Sequence, residues 1–397
     1  MAARAPDLVN RLPPKCHATG ARSLPLLVLL VLAACVPSTS TSPSPPPTTG
    51  GEPIPTATAD ASPSPTLRVE RATFPVAADP SALRDVVRGG PGLVAVGDAL
   101  TGAIVWISSD GVAWEAVTAP ERTGMASATT FGPSIVAVGR DLGVIDEELA
   151  TAWLSEDGRS WRRAQGELAD GQMIDVTTAG PGLVAVGSAV ALDATAVWAS
   201  LDGLTWERVP HGPAFENAFM WSIVEGGPGL VAVGWRRTPE PSAAVWVSTD
   251  GRTWERVPDP EDGAGYQMRA VAPFADGLVA AGDLVNGGRA AVWTSADGRT
   301  WERVADSDVF ADAFINAIVP MNSMLLGFGG VGRDAAIWTS RDGRSWTVIR
   351  HEAITNAYLT SAVRVGDRIV AVGATQERIP GTQSFRQTAA AWTIEFR

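Results

Sequence analysis

Cysteine is nearly absent from this chain: of 397 residues only Cys16 and Cys35 carry thiols. Everything downstream therefore lacks a disulfide or a thiolate metal site. Histidine is as scarce. After residue 35 only His211 and His351 remain, and neither lies in a GxSxG or HExxH setting, so serine-hydrolase and zinc-enzyme readings have no signature to rest on. Lysine occurs once, at Lys15, and 43 acidic against 31 basic residues give a formal net charge of −12. A surface of that sign repels phosphodiester backbones, and nucleic acid is not an expected partner. Long hydrophobic runs are missing too. Residues 24–34 are eleven apolar or proline residues, well short of the roughly 20 that span a bilayer.

That short run follows Arg22 and ends in Leu32-Ala33-Ala34-Cys35, the form of a secretory h-region closed by small residues and a cysteine. It resembles the lipobox of bacterial lipoproteins. The resemblance implies a signal peptide over residues 1–34 and makes Cys35 the acylated first residue of an exported chain, held to the membrane at the cell envelope. An ordinary signal peptide or a misplaced start codon is the alternative, because the stretch before the h-region is long. Residues 36–66 contain 22 Ser, Thr or Pro among 31, with two acids and no base. Such a composition buries too little apolar surface to offset ordering entropy, so a flexible tether is expected. Loss of residues 1–34 would bring the net charge to about −15.

What the remaining chain has in abundance is one phrase, SxDGxxW, six times over. Its Asp residues are Asp110, Asp157, Asp202, Asp250, Asp297 and Asp342, 45 to 48 residues apart. That period is the length of a propeller blade. Around each copy run short apolar segments bounded by Gly, Pro and Asp, the pattern of a meander of strands. In the unit near residue 230 these cover 219–224, 229–234, 244–248 and 253–257, four strands, which is the propeller count. The second strand recurs seven times, as LVAVG or a close variant from Leu93, Ile135, Leu183, Leu230, Leu278, Leu325 and Ile369. The third recurs around Trp106, Trp153, Trp198, Trp246, Trp293, Trp338 and Trp392. The last unit stops after its third strand, while residues 67–74 (LRVERATF) resemble the WERV strand that ends the others. Pairing the surplus strand beside 391–396 would close the ring and remove its free edges. An all-β, seven-bladed propeller over residues 67–397 is expected, acting as a monomer.

The phrase resembles the Asp-box, or bacterial neuraminidase repeat, of sialidase-like propellers, whose form is SxDxGxxW. All six copies here lack the residue between Asp and Gly. Asp-Gly favours a tight turn with positive φ, Asp and Ser oxygens can accept from local N–H groups, and the aromatic ring covers the turn. A structural role is therefore expected for the six Asp residues and for Trp114, Trp161, Trp206, Trp254, Trp301 and Trp346. The resemblance places them between third and fourth strands, away from the usual binding face.

Function is sought in the layer that varies. Nine residues before each second strand stand Arg84, Ala126, Ile174, Trp221, Arg269, Asn316 and Thr360; the next positions are Asp85, Ser127, Asp175, Ser222, Ala270, Ala317 and Ser361. Charges near a propeller channel need partners or water, so Arg84, Asp85, Asp175 and Arg269 are either paired with one another or face a polar ligand. Aromatics near the starts of first strands, Phe219, Tyr266, Phe314 and Tyr358, together with Trp221 and Trp235, would suit sugar faces or peptide side chains, or pack between blades. The loops are acidic, at Glu167 and Asp170, Glu216, Asp306, Asp308 and Asp312, and at Asp141, Asp146, Glu147 and Glu148. DPEDG at Asp259, with Glu261 and Asp262, comes nearest to a Ca²⁺ loop without the full spacing, and solvated loops without a cofactor are the plainer expectation.

An active sialidase, by the resemblance, would need an arginine triad, a Tyr nucleophile with a Glu, and an Asp acid–base. Arg84, Arg236, Arg237, Arg269, Arg333, Tyr266 and Tyr358 are present, but no spacing ties them together. The family's Arg-Ile-Pro phrase occurs only in the last unit, as Arg378-Ile379-Pro380. Gly327 to Gly332 fits GxGxxG but precedes a strand, so the helix that a dinucleotide needs is absent. The expectation is an envelope-anchored, non-catalytic binding or assembly module for a protein or glycan, with a sialidase-like glycoside hydrolase as the alternative.

Overall fold

Apolar on both faces, the LVAVG strands can only lie inside a stack of sheets, and the unit from Leu67 onward is such a stack bent into a ring. The computed structural model describes residues 67–74, 81–141, 149–180, 182–189, 194–382 and 384–396. Cys35 and the expected tether, and Asp146, Glu147 and Glu148, lie outside the described residues.

Seven sheets, each built on four antiparallel strands, form the blades. The unit near residue 230 is blade four, with consecutive strands Ala218–Gly226, Gly229–Arg236, Ser242–Ser248 and Glu255–Arg256. The fourth strand is shorter than its sequence pattern because Thr253 and Trp254 are committed to the preceding turn: the Thr253 N–H donates to Asp250 Oδ1 at 2.7 Å and Trp254 Nε1 to the Gly251 carbonyl at 3.0 Å. First strands of the other blades are Ser81–Gly89, Thr123–Phe131, Gln172–Ala179, Tyr266–Phe274, Ala313–Met321 and Ala357–Val365, for blades one, two, three, five, six and seven. Neighbouring first strands touch all the way round, so they form the inner wall.

Closure follows the expected pairing. Leu67–Arg71 lies antiparallel to Phe385–Phe396, from Leu67 opposite Phe396 to Arg71 opposite Trp392, as the fourth strand of blade seven. The segment then leaves that sheet. The Thr73 N–H donates to the Val112 carbonyl at 2.9 Å, and the Phe74 ring sits 4.9 Å from Trp106 and 6.0 Å from Trp114, both in blade one. One eight-residue piece thus ties the last blade to the first. Among the described residues, blade three alone has a fifth strand, Gln165–Gly166, parallel to Thr205–Arg208 and covering its outer edge.

The core is seven hydrophobic clusters, one at each blade junction. Alternation within one strand divides it between two of them: Leu93 and Ala95 join Val370 and Val372 of blade seven, while Val94 and Val96 join Met125, Ile135 and Trp153 of blade two. Burial on both faces is why the run reads as continuously apolar.

Candidate functional site

The glycine ending each LVAVG run sets the geometry of the channel. A Cβ on Gly97, Gly139, Gly187, Gly234, Gly282, Gly329 or Gly373 would meet a first-strand carbonyl oxygen at 1.9 to 2.1 Å. That carbonyl comes close because every first strand bulges opposite the glycine. The residues left over in the register are Arg84, Ala126, Ile174, Trp221, Arg269, Asn316 and Thr360. All seven are partly exposed. Bulges re-aim side chains, and here the same device in seven blades presents seven side chains of six different kinds at one level of the inner wall. Its mouth is the end where fourth strands pass to the next first strand.

Two of the ring residues are arginines, and each is held by an aspartate of its own blade. Arg84 Nε lies 2.5 Å from Asp98 Oδ1, and Arg269 Nε 2.5 Å from Asp283 Oδ1. Burial alone would lower the Arg84 guanidinium; the charge and hydrogen bond of Asp98, with a smaller contribution from Tyr358, together outweigh it and hold the group above its usual range. Trp221 Nε1 donates to Gln267 Oε1 at 3.1 Å, and Gln267 Nε2 reaches Asp283 Oδ1 at 3.3 Å, a chain that links blade four to Arg269 in blade five. Asn316 Nδ2 donates to the Leu359 carbonyl at 2.8 Å and the Thr360 hydroxyl to that of Leu83 at 2.9 Å. Asp98, Gln267 and Asp283 escaped the sequence reading. A signal existed: the two blades with a bulge arginine are the two whose LVAVG-type run is followed by Asp.

The position after the bulge carries a second set of ties. Asp85 accepts from Val86 N–H, Ala128 N–H and Ser361 Oγ, and Asp175 from Val176 N–H and Ile223 N–H, all at 2.6 to 2.9 Å. The Ser127 hydroxyl touches both acids. Blades seven, one, two, three and four are joined by this one line of polar groups.

The aromatic candidates divide. Tyr358 is partly exposed near Arg84; its hydroxyl is 3.0 Å from Gln387 Oε1, and burial pushes its pKa up. Tyr266 is only 7% exposed, edge-on to Trp293 and beneath Arg303, which donates to its hydroxyl at 2.8 Å. It shares a cluster with Trp293, as Phe215, Phe310 and Ile354, on the short 3₁₀ turns before blades four, six and seven, share clusters with Trp246, Trp338 and Trp392. Trp235, 9% exposed, stacks on Phe219 at 5.4 Å, with Arg237 over the other ring. Asp259 accepts from Arg236 Nε at 2.6 Å, and among the described residues no group of three or more His, Cys, Asp or Glu is placed to hold a metal.

The SxDGxxW turns occupy the opposite end. In the first, Gly111 N–H donates to Ser108 Oγ at 2.8 Å, Val112 N–H to Asp110 Oδ1 at 2.8 Å, and Trp114 Nε1 to the Gly111 carbonyl at 3.1 Å. The other five repeat the Ser and Asp bonds, and Trp206, Trp254, Trp301 and Trp346 repeat the indole bond; the Trp161 N–H has no partner. These donors lower the Asp pKa values, to about 2 for Asp157 and Asp250. Each turn glycine has φ between 71° and 78° and abuts a valine of the preceding blade, Gly251 against Val184. Between blades five and six a groove of about 980 Å³ opens at this end, lined by Phe274, Leu278, Pro320, Asp297 and Arg344 among others.

No family model matches the chain, and no curated protein does. Among solved structures it is similar to YCF48 bound to D1 peptide, with 15% identity over 83% of this chain and 95% of that one and a TM-score of 0.55. It is also similar to the extracellular domain of a hybrid two-component system from B. thetaiotaomicron, with 12% identity over 82% of this chain and 40% of that one at 0.52. A Trypanosoma rangeli sialidase in complex with the inhibitor DANA aligns at 13% identity, 69% and 55% coverage and a TM-score of 0.49. At these identities what the first two share with this chain is the fold, the β-propeller.

Proposed function

We propose that the propeller is a binding module without catalysis of its own, and that its ligand is a protein segment seated over the channel mouth. One observation carries this: the bulge is repeated in every blade, but the residue it presents is not. Repetition of the scaffold alone would not need Ala126, Ile174 and Trp221 on one arc and Arg269, Asn316, Thr360 and Arg84 on the other. An apolar arc facing a polar arc suits an amphipathic segment, with side chains on one side and hydrogen-bonding groups on the other. YCF48, similar in fold, was solved with a peptide bound. A glycan is the second occupant that a half-polar mouth with Trp221 admits. Glycoside hydrolysis is less well supported, because Asp85 and Asp175 spend their oxygens on backbone and serine donors.

The lipid anchor at Cys35, the export signal, the tether and the monomeric state belong to the same proposal, as does the kinship of the SxDGxxW turns with the Asp-box. Leu67, where the described chain begins, lies at the end of the ring that holds those turns. Loss of acylation in Cys35→Ser, followed by labelled fatty acid, tests the anchor. The binding reading is tested by titrating full-length protein with arrays of envelope-protein peptides and of oligosaccharides. Trp221→Ala and Arg84→Ala should weaken a peptide ligand at least about tenfold, with the opposite-end variant Asp250→Ala unaffected. A ligand insensitive to both mouth variants would place binding elsewhere, and turnover of a glycoside would reverse the non-catalytic assignment.

A further inference from the structure

Between Asp85 and Asp175 stands a single hydroxyl. Ser127 Oγ is 3.0 Å from Asp85 Oδ2 and 2.9 Å from Asp175 Oδ1. A hydroxyl has one proton to donate, so one of these contacts needs a proton on a carboxyl oxygen. The surrounding donors show which. Asp85 accepts from Val86 N–H and Ser361 Oγ on one oxygen and from Ala128 N–H on the other; with Ser127 that makes four donors, the full complement of an anion. Asp175 has two backbone donors, Val176 N–H and Ile223 N–H, and its remaining contact is Ser127.

We propose that Asp175 carries a proton in the folded protein and donates it to Ser127 while Ser127 donates to Asp85, so that blades one to three meet at a proton-dependent joint in the channel wall. Burial, reinforced by the Asp85 charge against the Ile223 amide, pushes Asp175 up to about 6. Other charges on the packed strands are engaged or distant in register. Arg84 is held by Asp98 and Arg140 by Gln172; Tyr358 bonds Gln387; Arg364 bonds the Gly366 carbonyl. Arg88 and Glu225 are exposed near the other ends of their strands, and Thr123–Phe131, which carries Ser127, has no charged residue. When the proton leaves, two carboxylates face one hydroxyl, and the strain falls on the residues just before them, Arg84 and Ile174 of the bulge ring. The joint stands apart from whatever ligand the mouth takes.

Amide hydrogen exchange of the full-length protein between pH 4 and pH 7, corrected for the intrinsic chemical rate, tests this. Protection of Ser81–Gly89, Thr123–Phe131 and Gln172–Ala179 should fall on the order of fiftyfold relative to Tyr266–Phe274 and Ala313–Met321, since the group moves from an ordinary 3.8 in the open state to about 6 in the closed one. Asp175→Asn, which has no proton to lose, should flatten that difference. Infrared spectra should show a protonated-carboxyl carbonyl band that titrates near pH 6 in the parent protein and is missing from Asp175→Asn. Unchanged relative protection in the parent protein, or a band that survives in Asp175→Asn, overturns the proposal; the parent profile alone decides the first point even if a variant fails to fold.

Discussion

Two kinds of aspartate in this protein have the same charge and opposite physics. Asp250 sits in an exposed turn and works as a cap, accepting from Arg252 N–H at 2.8 Å and Thr253 N–H at 2.7 Å. Asp250→Ala should cost about 1 kcal/mol in urea unfolding, the usual worth of such a cap. Gly251→Ala should cost more, about 2–3 kcal/mol, because φ is 72° and the new Cβ would lie 2.5 Å from Val184 Cγ2. Asp283, by contrast, is 4% exposed and relies on Arg269. Arg269→Ala should lose about 3 kcal/mol by stranding that charge, and Asp283→Ala in the same chain should recover part of it. Arg344→Ala, which breaks an exposed pair with Glu302, should shift stability by less than about 0.5 kcal/mol. The turn aspartates were legible in the sequence because their partners lie two or three residues away. Asp283 was not, since its partner is 14 residues back and reaches it only through a bulge.

At the level of elements, the strand Leu67–Arg71 is where the ring is most easily opened. Val69 is 6% exposed and packs with Ile394 and Trp392. Val69→Asp should destabilise the fold by about 2–4 kcal/mol, the cost of an unpaired charge in a core. It should also bare the edge of Phe385–Phe396, so that light scattering rises with concentration where the parent protein stays clear. This closure could be read from the sequence because a missing strand at one end matched a surplus strand at the other. The bulge could not: an extra residue in a strand leaves no mark in local pattern. The mid-strand glycine opposite it was in plain view, but a glycine reports that some backbone comes near, not which side chain is turned as a result.

The whole molecule should respond to pH in two opposed ways. For Asp157 and Asp250 the folded value, about 2, lies below the ordinary 3.8; their contribution is present above pH 4 and is lost as pH falls through about 2. For Asp175 the folded value, about 6, lies above it, so its contribution is full below about pH 4 and is lost as pH rises through 6. The melting temperature of the full chain, scanned from pH 2 to pH 8, should peak between about pH 4 and 5 and decline on both sides. A plateau from pH 5 to 8 would mean that Asp175 does not contribute.

Blade number, strand order, the turn chemistry and the closing strand are properties of the sequence by itself. The first three rest on contacts within one unit of 45 to 48 residues, and repetition prints the same local rule until its period is unmistakable; the closing strand pairs across the whole chain but shows in the sequence as the strand the last unit lacks. The channel is different. Ser127 meets Asp85 and Asp175 at separations of 42 and 48 residues, and Ser361 meets Asp85 at 276. Asp85 and Asp175 depart from the small residues that fill the same position in the other blades, so no period announces their partners, and the groups become neighbours only when the ring closes and brings seven separate first strands around one axis.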